Sequence, residues 1–302
     1  MRILVVGAGA VGAVFGAKLA QAGHRVTFQA RGANLDALRE RGLRVESFEG
    51  DLCLFPVDAI RSPEGAGPFE LVLVCVKAHD TAAALEGLAG ELAPDAIVLS
   101  LQNGVGAEER IAQLLGVGPL LHGLAYVSAE LVDPAIVRHT NEGTIVVGEA
   151  DGRRSPRLER LLTVLEGAGI RVRVPDDIAR AKWQKLAWNA SFNVICAITR
   201  KTASEVLASA GGRALVEDVM REVERVAASA GVVFEDDYVA RVIALTERNL
   251  GNVRPSTLQD RDRGKPLENP ALTGTVVRLG EHAGVATPVS ATLDRIATSL
   301  TA

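Results

Sequence analysis

The stretch Arg2-Ile3-Leu4-Val5-Val6-Gly7-Ala8-Gly9-Ala10-Val11-Gly12 decides how the rest of this chain is read. An apolar run stops at a G-x-G-x-x-G turn, and a small-residue segment from Ala13 to Ala22 follows, with a further Gly16. That order reads as strand, tight turn, helix. Gly7 lets the chain leave the strand sharply, Gly9 lets backbone approach a pyrophosphate, and Gly12 lets the helix pack close to the sheet. A helix opening at Ala10, Val11 and Gly12 presents N–H groups and a partial positive charge to phosphates. A second apolar run, Arg25-Val26-Thr27-Phe28-Gln29, completes a strand–helix–strand unit. In that context the glycines predict a dinucleotide site rather than an ordinary glycine-rich turn.

The end of the second run predicts which dinucleotide. Sites for NAD place an acidic residue about 20 residues after the glycines, where it holds the ribose 2′-hydroxyl. This chain offers Gln29-Ala30-Arg31-Gly32-Ala33-Asn34, with no carboxylate. Arg31 is either a solvated loop residue or a forked donor to a 2′-phosphate. The missing carboxylate favours the second reading, and with it NADP.

Composition bounds the rest. A chain of 302 residues, 48% hydrophobic and 23% charged, has room for two domains with sizeable cores. A net charge of −4 with no basic block argues against nucleic acid as the main partner. Cys53, Cys75 and Cys196 are odd in number and lie in apolar stretches. They read as buried thiols in a reducing compartment, without metal-type spacing. No signal-peptide pattern and no apolar run of about 18 residues appears, so a cytoplasmic protein without a membrane span is expected.

The first half alternates strand and helix patterns. Beyond the opening unit, strands are expected at 43–47, 52–57, 71–76, 97–101, 119–121, 135–138 and 144–147. Helices are expected at 79–92, 108–115 and 156–168. The wholly apolar Leu71-Val72-Leu73-Val74-Cys75-Val76 suits a strand buried on both faces. The fold class expected is therefore α/β: a doubly wound (Rossmann) parallel sheet over 1–175, followed by an all-helical domain over 176–302. The helical half reads as helices at 177–199, 203–210, 212–230, 236–248, 256–262, 270–283 and 287–301, with Asn269 an expected N-cap before Pro270.

Three places carry candidate chemistry. In the helix over 181–198, Lys182, Lys185, Asn189, Asn193 and Cys196 fall within a sector of roughly 80° on an otherwise apolar surface. Such a stripe is either solvent-facing or lines a polar cleft, and its narrowness favours the cleft. Lys77 and Asn103 follow apolar strands, where open α/β sheets bind ligands, although a loop lysine and an Asn-Gly turn are the plain alternatives. In Pro255-Ser256-Thr257-Leu258-Gln259-Asp260, Ser256 and Gln259 match a capping box. The charges at 260–263 match a solvated, ion-paired turn. Glu268 is a carboxylate at the entrance of an apolar helix, placed there for chemistry or for the helix dipole.

These residues together resemble the ketopantoate reductase (2-dehydropantoate 2-reductase) family across essentially the whole chain. The resemblance is carried by the glycine turn, Arg31, Val76-Lys77-Ala78, Gln102-Asn103-Gly104-Val105-Gly106, Trp183-Gln184-Lys185-Leu186-Ala187-Trp188-Asn189, the Ser256 segment, and Glu268 through Gly274. It implies NADPH-dependent reduction of ketopantoate to pantoate, as in pantothenate biosynthesis, in a cleft between a Rossmann domain and a helical domain. It implies Lys185 as catalytic acid with Glu268 as its partner. It further implies Asn103 and Lys77 near nicotinamide and substrate, Asn189 and Asn193 as substrate contacts, and Ser256 on the substrate carboxylate. A homodimer through apolar surface of the helical half is expected.

The chain departs from the family pattern at Val194, at Ala203-Ser204-Glu205-Val206, near Val253, and at Asn269-Pro270. These departures read as changes on the substrate side. They leave open a reductase of another small 2-oxo acid and, in a different class, a non-catalytic NADP(H)-binding regulator.

Overall fold

The computed structural model describes residues 1–118, 120–249 and 254–300. The chain divides into two units: Met1–Gln102 with Gly106–Ile178, and Asn103–Val105 with the chain from Ala179 onward.

In the first unit, strand β1 (Arg2–Val6) is buried on both faces, as its unbroken apolar run requires. Ile3 and Val5 join the core on one side of the sheet, and Leu4 and Val6 the core on the other. Four parallel strands flank it: β2 (Arg25–Gln29), β5 (Asp58–Ile60), β6 (Phe69–Val74) and β7 (Leu92–Ser100), in the order β5-β2-β1-β6-β7. Ile3 pairs with Val26 on one side and Leu71 on the other. Helices α1 (Ala10–Gln21), α2 (Gly32–Arg41), α3 (Thr81–Leu85), α4 (Ala107–Leu115) and α5 (Pro156–Gly167) complete the unit.

Beyond the expected sheet stands a second one. Strands β3 (Leu43–Ser47), β4 (Leu52–Leu54), β9 (Ile136–Gly148) and β10 (Arg171–Arg173) run in the order β10-β9-β3-β4, with β8 (His122–Asp133) antiparallel on β9. Val137, Ile145 and Val147 of this sheet share a core with Ala13, Val14, Phe15 and Ala17 of α1. That helix is therefore packed between two sheets, which explains its lack of a polar face. The sequence pattern divides β9 into two short strands because Arg138, Thr140, Asn141 and Glu142 interrupt its apolar run. It misses β8, whose residues from Tyr126 to Val132 are only half buried. At the expected strand near 119–121, one isolated bridge, Leu121 to Leu99, is present among the described residues, and residue 119 lies outside them.

Two further expectations give way. The helix expected over 79–92 is a 3-10 turn, α3 and a second 3-10 turn (Ala89–Glu91), because Glu86 leaves the helical backbone and Gly87 has φ +78°. Cys53 is exposed rather than buried, since it lies in the edge strand β4. Cys75 and Cys196 do withdraw from solvent, and burial pushes both thiols up to about 12.

The second unit is helical: α6 (Ile178–Trp188), α7 (Val194–Thr199), α8 (Ala203–Leu207), α9 (Ala210–Ser229), α10 (Tyr238–Asn249), α11 (Ser256–Asp262), α12 (Thr273–Ala283) and α13 (Pro288–Ser299). Trp183, Leu186, Phe192, Val216, Val223 and Leu272 are among the side chains of its core. The sequence predicts one helix over 177–199, but a π turn at Asn189–Asn193 divides it. The cause is local. Ser191 is fully buried, and its hydroxyl donates to the carbonyls of Ala187 at 2.7 Å and Trp188 at 3.1 Å. A side chain that enters the backbone ladder in this way loosens the turn it sits in.

The capping expectations also change. Asn269 lies in a 3-10 turn (Asn269–Ala271), and its amide donates to Asp294 Oδ1 at 2.8 Å and Thr298 Oγ1 at 3.0 Å instead of capping α12. Ser256 and Gln259 form no capping box; the Gln259 amide donates to the Arg254 carbonyl at 2.9 Å. Within the charged turn, Arg261 donates to the carbonyls of Ala197 and Ile198 at the end of α7, while Asp262 pairs with Arg254.

Candidate active site

The glycine turn of the first unit is held by main-chain bonds. Gly7 and Ala8 donate to the Gln29 carbonyl at 3.2 and 2.9 Å, and Cys75 donates to the Val6 carbonyl at 2.8 Å. The Asn34 amide donates to the Ala8 carbonyl at 2.8 Å. Gly7 has φ +98°, and a Cβ there would lie 2.7 Å from Val76. A Cβ on Gly12 would collide with the Gly7 carbonyl, whereas one on Gly9 would meet nothing within 4 Å. Gly9 therefore borders open space, as an approach path for phosphate requires. No side chain caps α1, and its first turn (Ala10, Val11, Gly12) carries no acidic residue to compete with an anion.

Arg31 stands at the end of β2 with its side chain 74% exposed. Its Nη2 donates to both carboxylate oxygens of Asp80, at 3.0 and 2.9 Å. Asp80 closes the 3-10 turn that follows Lys77, and its sequence position carries no mark of this pairing. Lys77 itself precedes the 3-10 turn Ala78–Asp80 and is half buried. Gln102 ties together the loops beside it, donating to the Val76 carbonyl at 2.7 Å and Thr81 Oγ1 at 2.8 Å. This unit thus offers a main-chain cradle and an exposed guanidinium, which fit a phosphorylated dinucleotide.

Asn103 belongs to the second unit, and there the remaining candidates converge. Gly104 has φ +94°, and a Cβ on it would lie 2.6 Å from the Ala271 carbonyl, so only glycine brings this turn so close to the Glu268 loop. Asn103 Nδ2 donates to Glu268 Oε2 at 3.3 Å, and Asn189 Nδ2 donates to Asn103 Oδ1 at 3.3 Å. Lys182, Asn189, Asn193 and Glu268 are all buried. Lys185 is brought down to about 8 by burial, which the Glu268 carboxylate counteracts and the Lys182 ammonium reinforces. Asn193 Oδ1 is buried with no hydrogen-bond partner among the described residues. Three segments far apart in sequence thus meet around one amine. The Asn269–Asp294–Thr273 hydrogen bonds anchor the chain just after Glu268.

Other candidates lie elsewhere. Ser256 is exposed in the first turn of α11, with no hydrogen bond to Lys185, Glu268 or Asn103. Cys196 lies in the apolar core. The departures at Val194 and Ala203 are fully buried and pack in the apolar core of the helical unit. A capping box between Thr202 and Glu205 starts α8 in that stretch. Val253 lies outside the described residues. No cluster of His, Cys, Asp or Glu suited to a metal occurs among the described residues.

Comparison with known proteins adds independent findings. Residues 3–152 match the family model described as ketopantoate reductase PanE/ApbA, and residues 177–300 match the model of its C-terminal part. A 2-dehydropantoate 2-reductase of Archaeoglobus fulgidus is 37% identical, over 97% of this chain and 95% of that protein. Another from Mesorhizobium japonicum is 33% identical, over 95% of this chain and 94% of that protein. The crystal structure of a 2-dehydropantoate 2-reductase from Geobacter metallireducens superposes with a TM-score of 0.91 at 35% identity, covering 99% of both chains.

Proposed function

This chain belongs to the ketopantoate reductase family, and from that premise we propose that it reduces ketopantoate to pantoate with NADPH. The observation that carries the reading is the meeting of Lys185, Glu268, Asn103 and Asn189 in the second unit.

When bound at the glycine turn, NADPH would supply a hydride to the ketone carbon of the substrate. The electron pair of the carbonyl π bond then moves onto oxygen, which needs a proton to become the hydroxyl of the 2-hydroxy acid. Lys185 supplies that proton from Nζ. With its pKa brought to about 8, the amine is mostly protonated at neutral pH and gives up its proton far more readily than an ordinary lysine. Glu268 keeps the ammonium form populated and orients it, while Asn103 fixes the carboxylate through Oε2. The amides of Asn189 and Asn193 contact the substrate's polar atoms, Ser256 takes its carboxylate, and Lys77 lies near substrate and nicotinamide. Gly7, Gly9 and Gly12 leave room for the pyrophosphate, and Arg31 takes the 2′-phosphate. Among the described residues no helix is long and apolar enough to cross a membrane. The enzyme works in the cytoplasm as a homodimer, which light scattering of the purified chain tests.

The decisive experiment follows the absorbance of NADPH with ketopantoate beside Lys185→Ala. General acid catalysis is worth about 10²–10⁴-fold, so the variant should lose kcat on that scale and keep its NADPH affinity. Near-normal turnover in Lys185→Ala would remove the lysine from its role. Turnover of another 2-oxo acid with none of ketopantoate would move the substrate assignment and leave the acid in place.

A further inference from the structure

Arg31 follows β2 and Asp80 follows β6, the two strands that flank β1 in the sheet. Their ion pair, with Nη2 at 3.0 and 2.9 Å from the two carboxylate oxygens, therefore spans the C-terminal end of β1, where the glycine turn begins. Open α/β sheets bind ligands in this crevice. The guanidinium side chain is 74% exposed and the carboxylate side chain 25%, so the cation is presented outward with the anion behind it. His79 Nε2 lies a further 3.6 Å from Asp80 Oδ2.

We propose that Asp80 sets the cofactor preference of this chain, penalising the 2′-phosphate of NADPH and accepting from the ribose 2′-hydroxyl of NADH. The result is a narrow preference for the phosphorylated dinucleotide. The inference rests on the dinucleotide reading given above and adds a residue to it. An exposed ion pair is weak, so Arg31 is not locked onto Asp80. A phosphate monoester carrying roughly −1.5 to −2 charges therefore captures the guanidinium. Asp80 is then left beside a like charge, with its own partner shared. With NADH the pair stays intact. A carboxylate has more lone pairs than one guanidinium nitrogen occupies, and a spare one accepts the hydroxyl. One side chain thus works against one cofactor and for the other. A pair that merely tied the two loops together would act on both dinucleotides alike.

Isothermal titration of the full chain with NADPH and with NADH, for the wild type and Asp80→Asn, separates these cases. Asparagine keeps the size and a hydrogen bond to Arg31 while removing the charge. The expected result is NADPH binding about tenfold tighter in the variant, equivalent to about 1.4 kcal/mol, with NADH binding no tighter than before. A common shift of both cofactors, or an unmoved ratio, overturns the proposal while leaving the dinucleotide site intact. Binding of neither cofactor by the wild type overturns the proposal and the site together. A measurement on the wild type needs no variant: adenosine 2′,5′-bisphosphate should bind within about tenfold of adenosine 5′-monophosphate, and a preference above about 100-fold overturns the proposal.

Discussion

The two polar sites of this molecule are built in opposite ways. At the glycine turn the groups that face a ligand are main-chain N–H groups, set by residues within one short stretch, Gly7 to Gly12. At the amine site they are side chains drawn from residues 103, 182–193 and 268, joined only when the helical unit folds. The first site therefore depends on what glycine lacks, and the second on what each side chain carries. Substitutions should fail differently at the two. At the turn, any added atom is harmful whatever its chemistry, whereas at the amine, chemistry matters and small changes in volume are tolerated.

The largest effect on binding expected from this contrast is at Gly12. Valine there would drive its branched side chain into the Gly7 carbonyl and the Val5 and Cys75 side chains. Overpacking of this kind costs about 1–3 kcal/mol, and the strain falls on the turn proposed to receive the phosphates. Gly12→Val should weaken NADPH binding by more than about 100-fold, equivalent to about 3 kcal/mol, with a lowered melting temperature. By contrast Gly9→Ala, whose Cβ meets no protein atom, should melt normally and lose affinity only through blocked approach. Titration calorimetry and thermal melts on both variants check this. Unchanged binding in Gly12→Val would mean that the turn is not the cofactor cradle.

The amine site should respond to pH, with the opposite sign for rate and for stability. With Lys185 in its proposed role as the acid, reduction draws on the ammonium form, so kcat for ketopantoate should fall about tenfold per unit above a midpoint near 8, and the reverse oxidation should gain over the same range. For stability, the folded-state value of about 8 lies below the unfolded value of about 10.4. The unfolded chain then binds more protons between those limits, so stability rises with pH across that window, and the lysine is a liability below it. Lys185→Met should lose kcat on the same 10²–10⁴-fold scale as the alanine variant, and stabilise the chain at neutral pH by on the order of 1–2 kcal/mol, a figure reduced because the side chain is not wholly withdrawn from water. A chemical-denaturation series at pH 7 and pH 10 reads both limits. A gain for Lys185→Met equal at the two pH values would show that the stabilisation is packing and not charge.

The same contrast explains what was legible before folding. The glycine turn and the parallel sheet around β1 are local patterns, and unbroken apolar runs such as Leu71 to Val74 declare burial on both faces. The second sheet was not legible as such, because β8 and β9 form a hairpin whose middle carries Asn141 and Glu142 and looks like loop. Lys185 and Glu268 were legible as residues through their family pattern. Their meeting with Asn103 depends on Gly104 reaching the Ala271 carbonyl, a long-range approach that no periodicity encodes. Asp80 was hidden for a related reason: a charged residue near a helix start reads as ordinary until its partner from another strand is in place. Val194 and Ala203, close in sequence to the polar stripe, are fully buried in the helical core, a depth that their apolar character alone does not distinguish from the stripe's own buried amides.

The smallest expected effect concerns the break between α6 and α7. Lys185 lies before the π turn and Asn193 ends it, so the turn sets the angle between acid and amide, and a straight helix would rotate Asn193 away from its present direction. Ser191 holds the turn open by occupying the Ala187 and Trp188 carbonyls. Ser191→Ala removes that competitor and substitutes the best helix former, favouring the regular ladder. Because Lys185 precedes the break, the midpoint of the pH–rate profile should stay where it is. Because Asn193 moves, KM for the oxo acid should rise by about threefold to tenfold, about 0.7–1.4 kcal/mol of lost contact. Steady-state kinetics across pH resolves the two quantities in one experiment. A shifted midpoint with an unchanged KM would place the serine's influence on the amine, and the two segments of this helix would then act as one rigid piece.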